Sequence, residues 1–409
     1  MEEFKTYKLE ELTIGKGEYG IGASAVPFDS SKYMYLRITD INDDGTLNKQ
    51  NLMSVDDINA CNYILQKNDI VFARTGNSTG RSYFYDGSDG VLVYAGFLIK
   101  FSIDDNKVNP RILKYYTHSK PYFDWVHSFD TGGTRGNINA KTYGTMPIIL
   151  PSRKIQDKIV SILKSFDDKI ELNRRINENL EQQAQALFKS WFVDFEPFKN
   201  EKFVDSELGM IPEGWKVCEL GNLCDSISIT HPCKKGELIF LNTGDIENGF
   251  VLTNKYMDIK DMPGQAKKSI KENDILYSEI RPINRHYAFV NFPAHEYIVS
   301  TKLMVIRAIN EKLSIRLYQY LTSNDIINEL QHEAESRSGT FPQIRFENIK
   351  KLKILIGPNN IENQYTEFIG NIYKMIFQYR KEIIKLEHLR DTLLPKLMSG
   401  ELKINDFND

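Results

Sequence analysis

At 409 residues the chain is too long for one ordinary domain, so two or three are expected. A hydrophobic share of 41% is ample for packed cores, and 11% aromatic with 26% charged residues describes a soluble globular protein. Its formal net charge of −3 counts against a chain that neutralises many phosphates by itself, unless positive charge is clustered or partners supply it.

From the N-terminus, Met1-Glu2-Glu3-Phe4-Lys5 lacks the basic-then-apolar pattern of a signal peptide. No apolar run anywhere approaches the ~20 residues of a membrane helix. The four cysteines suit reduced thiols better than a disulfide framework, and a cytoplasmic setting is expected. Gly15, Gly17 and Gly20 form a GxGxxG, but Pro27 and polar residues stand where the helix of a dinucleotide site should continue. A flexible loop is expected there.

A strand at Asp69-Ile70-Val71-Phe72 runs into a polar, basic loop, Arg74-Thr75-Gly76-Asn77-Ser78-Thr79-Gly80-Arg81. Val91–Tyr94 and Phe97–Phe101 read as strands, and Ile112–Ser119 as a short helix. A second polar loop follows, Thr131-Gly132-Gly133-Thr134-Arg135-Gly136-Asn137-Ile138-Asn139-Ala140-Lys141.

From Ile155 the apolar positions fall at Ile159, Ile162, Phe166, Ile170, Ile176, Leu180, Ala184, Leu187 and Trp191. Apart from a skipped turn near Asn173, this is the spacing of a coiled-coil seam, over a helix of about 55 Å. Such a helix suits a spacer better than a small core. Further along, Cys218, Cys224, His231 and Cys233 lack the paired short spacing of a structural zinc site. Cys218 and Cys224 are expected to be small buried apolar residues, and no metal is expected.

The second half repeats the order. Glu279-Ile280-Arg281-Pro282-Ile283-Asn284-Arg285-His286 follows the strand at Asp274; Ile298-Val299 and Leu303–Ile306 read as strands; Ile315–Leu321 reads as a helix. Arg337-Ser338-Gly339-Thr340-Phe341-Pro342-Gln343-Ile344-Arg345 is the second polar loop. A helix then carries Tyr365, Phe368, Ile372, Met375, Tyr379, Leu386, Leu389 and Leu393 on its seam, with Pro395 near its end.

The halves are a tandem duplication. Lys67-Asn68-Asp69-Ile70-Val71-Phe72 matches Glu272-Asn273-Asp274-Ile275-Leu276-Tyr277 at an offset of 205 (Asn68 to Asn273). Tyr35-Leu36, Asp40-Ile41 and Tyr115-Tyr116-Thr117 match Phe240-Leu241, Asp245-Ile246 and Tyr320-Leu321-Thr322 at the same offset. Gly133-Thr134 matches Gly339-Thr340 at 206, and Ile149-Leu150-Pro151 matches Ile356-Gly357-Pro358 at 207. Matches that keep their order with so small a drift mark one globular unit plus one helix, made twice.

Three catalytic signatures are absent by inspection: there is no GxxxxGK[ST] phosphate loop, no Asn-Pro-Pro-aromatic or Asp-Pro-Pro-aromatic tetrapeptide and no HExxH. Asp167-Asp168 lies on the long helix, where a solvated face is expected. What remains are the four polar loops. Arg pairs bidentately with guanine and Asn or Gln with adenine, while Ser, Thr and Lys hold phosphates. The first unit offers Arg74, Thr75, Asn77, Ser78, Thr79 and Arg81, then Thr134, Arg135, Asn137, Asn139 and Lys141. The second offers Arg281, Asn284, Arg285 and His286, then Arg337, Ser338, Thr340, Gln343 and Arg345. Matched positions with different residues are expected if two copies read different half-sites.

Four stretches resemble the specificity subunits of Type I restriction–modification enzymes. They are Gly133-Thr134 through Met146-Pro147-Ile148-Ile149-Leu150-Pro151 with Gln156; Ala186-Leu187-Phe188-Lys189-Ser190-Trp191-Phe192-Val193-Asp194-Phe195-Glu196-Pro197; Leu208-Gly209-Met210-Ile211-Pro212-Glu213-Gly214-Trp215; and Leu393-Leu394-Pro395-Lys396-Leu397-Met398-Ser399-Gly400-Glu401-Leu402. The resemblance implies an α+β protein: two mixed α/β target-recognition domains (1–151 and 197–358) and two long antiparallel coiled-coil spacer helices (152–196 and 359–409). It implies a non-catalytic subunit that binds a bipartite site on double-stranded DNA. Two modification (methyltransferase) subunits would dock on the helices, and restriction (motor-nuclease) subunits would join for cleavage. Methyl donor, magnesium and ATP would belong to those partners, leaving no cofactor on this chain. Helix positions off the mutual seam, together with Phe188, Trp191 and Phe192, are candidates for docking a partner, with packing inside the chain as the alternative for these aromatics. Phe341-Pro342 stands where the first loop has Arg135-Gly136, a departure that leaves the base-contacting residues open.

Overall fold

A computed structural model describes residues 4–49, 51–130, 136–232, 236–337 and 341–402. The chain divides into two units, Met1–Leu172 with Glu382–Asp409, and Asn173–Lys381. The first unit holds strands β1 (Lys5–Lys8), β2 (Glu18–Tyr19), β3 (Ala25–Pro27), β4 (Tyr33–Leu36), β5 (Met53–Val55), β6 (Asp69–Ala73), β7 (Ser82–Tyr85), β8 (Leu92–Tyr94), β9 (Leu98–Ser102) and β10 (Pro147–Leu150). Helices α1 (Arg111–Tyr116), α2 (Lys120–His127) and α3 (Ala140–Gly144) precede α4 (Arg153–Phe192), whose first half belongs to this unit. The strands form sheets in the orders β2-β9-β6-β7 and β3-β5-β4-β8, with β1 paired to β10.

All five residues of β6 are buried, because the strand has a core on each face. Ile70 and Phe72 pack with Leu113, Tyr122 and Tyr143 on one side. Val71 and Ala73 pack with Leu36, Tyr83 and Tyr94 on the other. Alternation sends successive side chains to opposite faces, so a strand covered on both reads as a continuous apolar run. Each large apolar residue so buried contributes about 1.5–3 kcal/mol.

The turn into β6 is also built in. Asn68 takes φ +74°, the Asp69 carboxylate accepts the Gln66 N–H at 2.7 Å, and Asp69 N–H donates back to the Gln66 carbonyl at 2.9 Å. Asparagine tolerates this left-handed conformation where branched residues do not.

The second unit repeats the plan. Its strands are β11 (Phe203–Ser206), β12 (Gly209–Pro212), β13 (Lys216–Glu219), β14 (Cys224–Ser226), β15 (Glu237–Leu241), β16 (Ile246–Glu247), β17 (Phe250–Val251), β18 (Tyr256–Asp258), β19 (Ala266–Ser269), β20 (Ile275–Ser278), β21 (Tyr287–Phe289), β22 (Tyr297–Ser300), β23 (Leu303–Ala308) and β24 (Lys353–Ile356). Helices α5 (Ser314–Leu321), α6 (Asn324–Arg337) and α7 (Phe346–Ile349) lead to α8 (Asn359–Met398). The order β14-β23-β20-β21 reproduces β2-β9-β6-β7, and β13 pairs with β24 as β1 does with β10.

A parallel pair recurs too, Met34 opposite Leu92 and Ile239 opposite Tyr297, both shifted by the same 205. Asn273 repeats the left-handed turn at φ +70°, and the Asp274 carboxylate accepts the Lys271 N–H at 2.8 Å. Here the buried acid also takes both prongs of Arg307, at 2.6 and 2.8 Å. The two copies keep the turn and change how the acid is satisfied.

The glycine motif is not a flexible loop. A Cβ at Gly20 would meet the carbonyl oxygens of Tyr94 and Ala95 at 2.3 Å, and one at Gly17 would meet the Phe101 ring at 2.5 Å. β2 lies against its neighbours so closely that only glycine fits on either side of it. Cys224 is buried, with its thiol pushed up to about 12 by desolvation, whereas Cys218 is only half-buried.

The helix seam also differs from the apolar pattern. On α4 the buried line passes through Gln156, Ile159, Leu163, Ile170, Asn173, Asn177, Leu180 and Ala184. No turn is skipped at Asn173; asparagines occupy the seam, at 0% and 6% exposure, and an apolar template passes over them. On α8 Phe368, Met375 and Leu389 are exposed, and the buried line runs through Tyr365, Ile369, Ile376, Arg380, Ile383 and Leu394.

Within each unit the α4 and α8 segments run antiparallel. In the first, Ile159, Val160 and Leu163 join Leu394, Leu397 and Met398 in the core that also receives Ile70. Asp167 ties the pair to α1, accepting from Lys114 Nζ at 2.7 Å, the Tyr115 hydroxyl at 3.0 Å and Arg390 Nη1 at 3.1 Å. In the second, Trp191 and Phe192 pack on Tyr365 and Ile369, and Arg380 pairs with Glu181.

Burial raises the Asp167 carboxyl, but Lys114 and Arg390 outweigh it and hold it below the ordinary carboxylate range. A depressed folded-state pKa contributes stability above the unfolded value and loses it as pH falls through the folded one. Asp167→Asn is expected to destabilise the first unit by about 2–3 kcal/mol at pH 7, leaving two cations facing a neutral amide. In denaturant titrations the gap between variant and wild type should close below about pH 4. An equal gap at pH 3 and pH 7 would refute this account.

Candidate nucleic-acid interface

The two polar loops of each copy are far apart in sequence and adjacent in space. In the first unit the Ile138 N–H donates to the Arg74 carbonyl at 3.0 Å, and the Thr79 hydroxyl donates to the Gly136 carbonyl at 3.1 Å. In the second the Ile344 N–H donates to the Glu279 carbonyl at 2.8 Å, and Arg281 N–H to the Pro342 carbonyl at 3.1 Å. Each pair therefore makes one patch, at the C-terminal end of β6 or β20. The chain reverses there because β6 turns into β7 and β20 into β21, each edge strand returning antiparallel to its partner.

In the first patch Arg74, Asn137, Asn139 and Lys141 lie together. The Arg74 guanidinium carbon stands 5.0 Å from the centroid of the Tyr19 ring, and Nε donates to Asn137 Oδ1 at 3.3 Å. Asn139 caps α3 by accepting the Thr142 N–H at 2.9 Å; Asn77, Asn137 and Lys141 are exposed. Thr75 is half-buried. Three candidates have structural duties instead. Ser78 is buried, Thr79 bridges the two loops, and Arg81 donates to the Ile41 carbonyl at 3.1 Å while pairing with Asp43 at 2.7 Å. Thr134 and Arg135 lie outside the described residues.

In the second patch Arg281, Asn284, Gln343 and Arg345 are exposed around Pro342, which is buried. Arg281 and Arg285 hold φ of +42° and +55°, the strained ends of a short turn around Pro282. Arg285 Nη2 donates to Asn324 Oδ1 at 2.8 Å, and the His286 ring nitrogen Nδ1 lies 2.7 Å from the Ile246 carbonyl, so both side chains are engaged within the unit. Asn348 Oδ1 accepts the Arg345 N–H at 2.8 Å, which aims Arg345 at the start of α7. Ser338 and Thr340 lie outside the described residues, and only the backbone of Arg337, the last residue of α6, is described.

The expected partner-docking aromatics lie elsewhere. Trp191 and Phe192 are 9% and 6% exposed, and half-buried Phe188 covers Arg316 with its ring centroid 4.8 Å away. Phe192 stacks on the same guanidinium at 3.8 Å, and Trp215 packs against Phe192. A partner would have to unpack this cluster to touch Trp191 or Phe192, so they are core residues. Their spacing on the helix is the same for a core face and a docking face, which is why the sequence left both open.

One functional candidate was missed. Tyr19 sits 42% exposed beside Arg74, and its hydroxyl accepts the Ala140 N–H at 3.1 Å. The glycines around it are its only signal in the sequence, and their pattern by itself predicts a loop. Among the described residues no group of three or more His, Cys, Asp or Glu could hold a metal ion, and no helix is long and apolar enough to cross a membrane.

The patches offer exposed donors, amides and a planar stacked guanidinium, which suit base edges and phosphates. Arg81, by contrast, ties the β6–β7 turn to the loop at Ile41. Arg81→Met is expected to lower unfolding stability by about 1–2 kcal/mol, read by thermal or urea denaturation. A variant as stable as wild type would return Arg81 to the set of free surface cations.

The family model for the Type I restriction modification DNA specificity domain matches residues 1–182 and 212–388. The Type I restriction enzyme MjaIX specificity subunit of Methanocaldococcus jannaschii is 28% identical over 306 residues, covering 72% of this chain and 69% of that one. The Type I restriction enzyme HindI specificity subunit of Haemophilus influenzae is 41% identical over 157 residues, which span 38% of this chain and 34% of the relative. The fold is shared with the S subunit of a Type I restriction–modification system from M. genitalium, at a TM-score of 0.56 and 15% identity over 97% of this chain and 96% of that one.

Proposed function

The chain belongs to the Type I restriction modification DNA specificity family, and we propose that it reads a two-part DNA site as the non-catalytic subunit of a methylating and cleaving complex. The duplication carries this reading. Two copies present the same pair of loops at the same strand end, held by the same backbone bond, and differ in the residues displayed. Two readers of one construction and different lettering suit two different half-sites.

In this reading phosphate contacts position each unit and base-edge contacts specify the sequence. Arg74, Asn77, Asn137, Asn139 and Lys141 face the first half-site; Arg281, Asn284, Gln343 and Arg345 face the second. Thr75, Thr134, Arg135, Arg337, Ser338 and Thr340 complete the loops. The long helices set the separation of the half-sites, as fixed geometry does for two-fold DNA binders. Modification subunits dock on the helices, and motor-nuclease subunits join for cleavage. The net charge of −3 supports shared work: a near-neutral chain supplies specificity, and partners supply much of the phosphate neutralisation. The methyl donor, magnesium and ATP belong to the partners, and the complex acts in the cytoplasm.

Methylome sequencing of cells holding the modification subunits, with and without this chain, tests the reading. A split motif that appears only with the chain is expected. Arg281→Ala should weaken or relax one position of one half-site by about 1–3 kcal/mol, and leave the other half unchanged. Identical methylomes, with assembly demonstrated, would refute the proposal.

A further inference from the structure

We propose that Arg74 reads a guanine in the half-site of the first unit, and that Tyr19 is the positioning residue that aims it. The inference rests on the DNA-reading role above and assigns chemistry to one contact within it.

The backbone of Arg74 is pinned at both ends: its N–H donates to the Phe97 carbonyl at 3.1 Å, and its carbonyl accepts the Ile138 N–H at 3.0 Å. The guanidinium lies against the Tyr19 ring, with Nε turned to Asn137 Oδ1. Tyr19 is itself fixed. It pairs with Ile99 across β2 and β9, takes the Ala140 N–H on its hydroxyl, and sits between Gly17 and Gly20, where a Cβ would collide with Phe101 or with backbone oxygens.

With Nε engaged, both Nη groups have no hydrogen-bond partner among the described residues. Two parallel N–H groups on a plane held by stacking match the O6 and N7 acceptors of guanine in the major groove. A phosphate accepts such a fork from several directions, whereas a base edge presents its acceptors in one plane; a guanidinium fixed by a ring and an amide suits the base edge.

The second unit lacks this device. Ile344 donates to the Glu279 carbonyl as Ile138 does to Arg74, so Glu279 holds the corresponding place. A carboxylate cannot donate to guanine. The contact belongs to one half-site.

The test uses the full chain assembled with its modification subunits, as wild type, Arg74→Ala, Arg74→Met, Tyr19→Ala and Tyr19→Phe. Binding is measured to duplexes in which each guanine of the methylated motif is replaced in turn by 7-deazaguanine, which lacks the N7 acceptor. Wild type should lose about tenfold or more at one guanine of the first half-site. Both Arg74 variants should bind more weakly and no longer sense that replacement. If Arg74→Ala fails to fold, Arg74→Met keeps the stem, removes the donors and carries the test. Tyr19→Phe should retain the discrimination, and Tyr19→Ala should lose most of it while keeping most affinity for the substituted duplex. An Arg74 variant that still senses the same guanine, or a wild type that senses none, overturns the assignment alone. Unchanged discrimination in Tyr19→Ala overturns the positioning role. A wild-type complex that methylates no split motif overturns this inference together with the reading beneath it.

Discussion

The first unit does not complete its core from one continuous stretch of chain, and the second must bring the two ends of its own stretch together. The first needs Leu394, Leu397 and Met398 from the last turns of α8, and the second needs Ala184, Trp191 and Phe192 from the second half of α4. Each long helix therefore carries two obligations: its first half packs beneath the repeat it follows, and its second half belongs to the other unit. Such long-range closure has a high entropic cost, which only extensive burial offsets. The aromatic cluster of Trp191, Phe192, Phe198, Trp215 and Tyr365 supplies that burial in the second unit.

The polar groups in these helix contacts matter for a different reason. Arg316 is 1% exposed, sandwiched near Phe188, Phe192 and Tyr365, with Glu362 4.0 Å away. Desolvation lowers the arginine and raises the glutamate, so the pair costs more to bury than an apolar pair would. Asn173 and Asn177 on the α4 seam, and Arg380 with Glu181, are further cases. Among the described residues Asn177 Oδ1, Arg316 Nε and Nη1 and Glu362 Oε2 have no hydrogen-bond partner, so these groups add a cost that the apolar packing around them must offset.

The proposed interface depends on the same economy of positions. β6 and β20 are covered on both faces, so their ends are held firmly and their loops can vary without disturbing the core. Arg74 and Glu279 occupy the same backbone position with opposite charges. Asp69 and Asp274, one strand length away, are kept alike because both close the same turn. Constraint on the scaffold and freedom at the loop tip are separated by about five residues.

The sequence by itself determined the duplication, the α+β class, the two long helices and the polar loops. Each was written in local signals: a repeated Asn-Asp-apolar run, apolar spacing of three and four, and Gly-, Asn- and Arg-rich segments. Tertiary structure alone decided four further matters. It brought Arg74 to Tyr19 and Asn137, which no sequence spacing encodes. It put Asn173 and Asn177 on a seam that hydropathy could not follow, since burial of a polar group depends on what lies opposite. It turned Trp191 and Phe192 inward, where periodicity allows either face. It gave Ser78 and Arg81 to the scaffold rather than the surface. Period reports which residues share a face; only packing reports what that face meets.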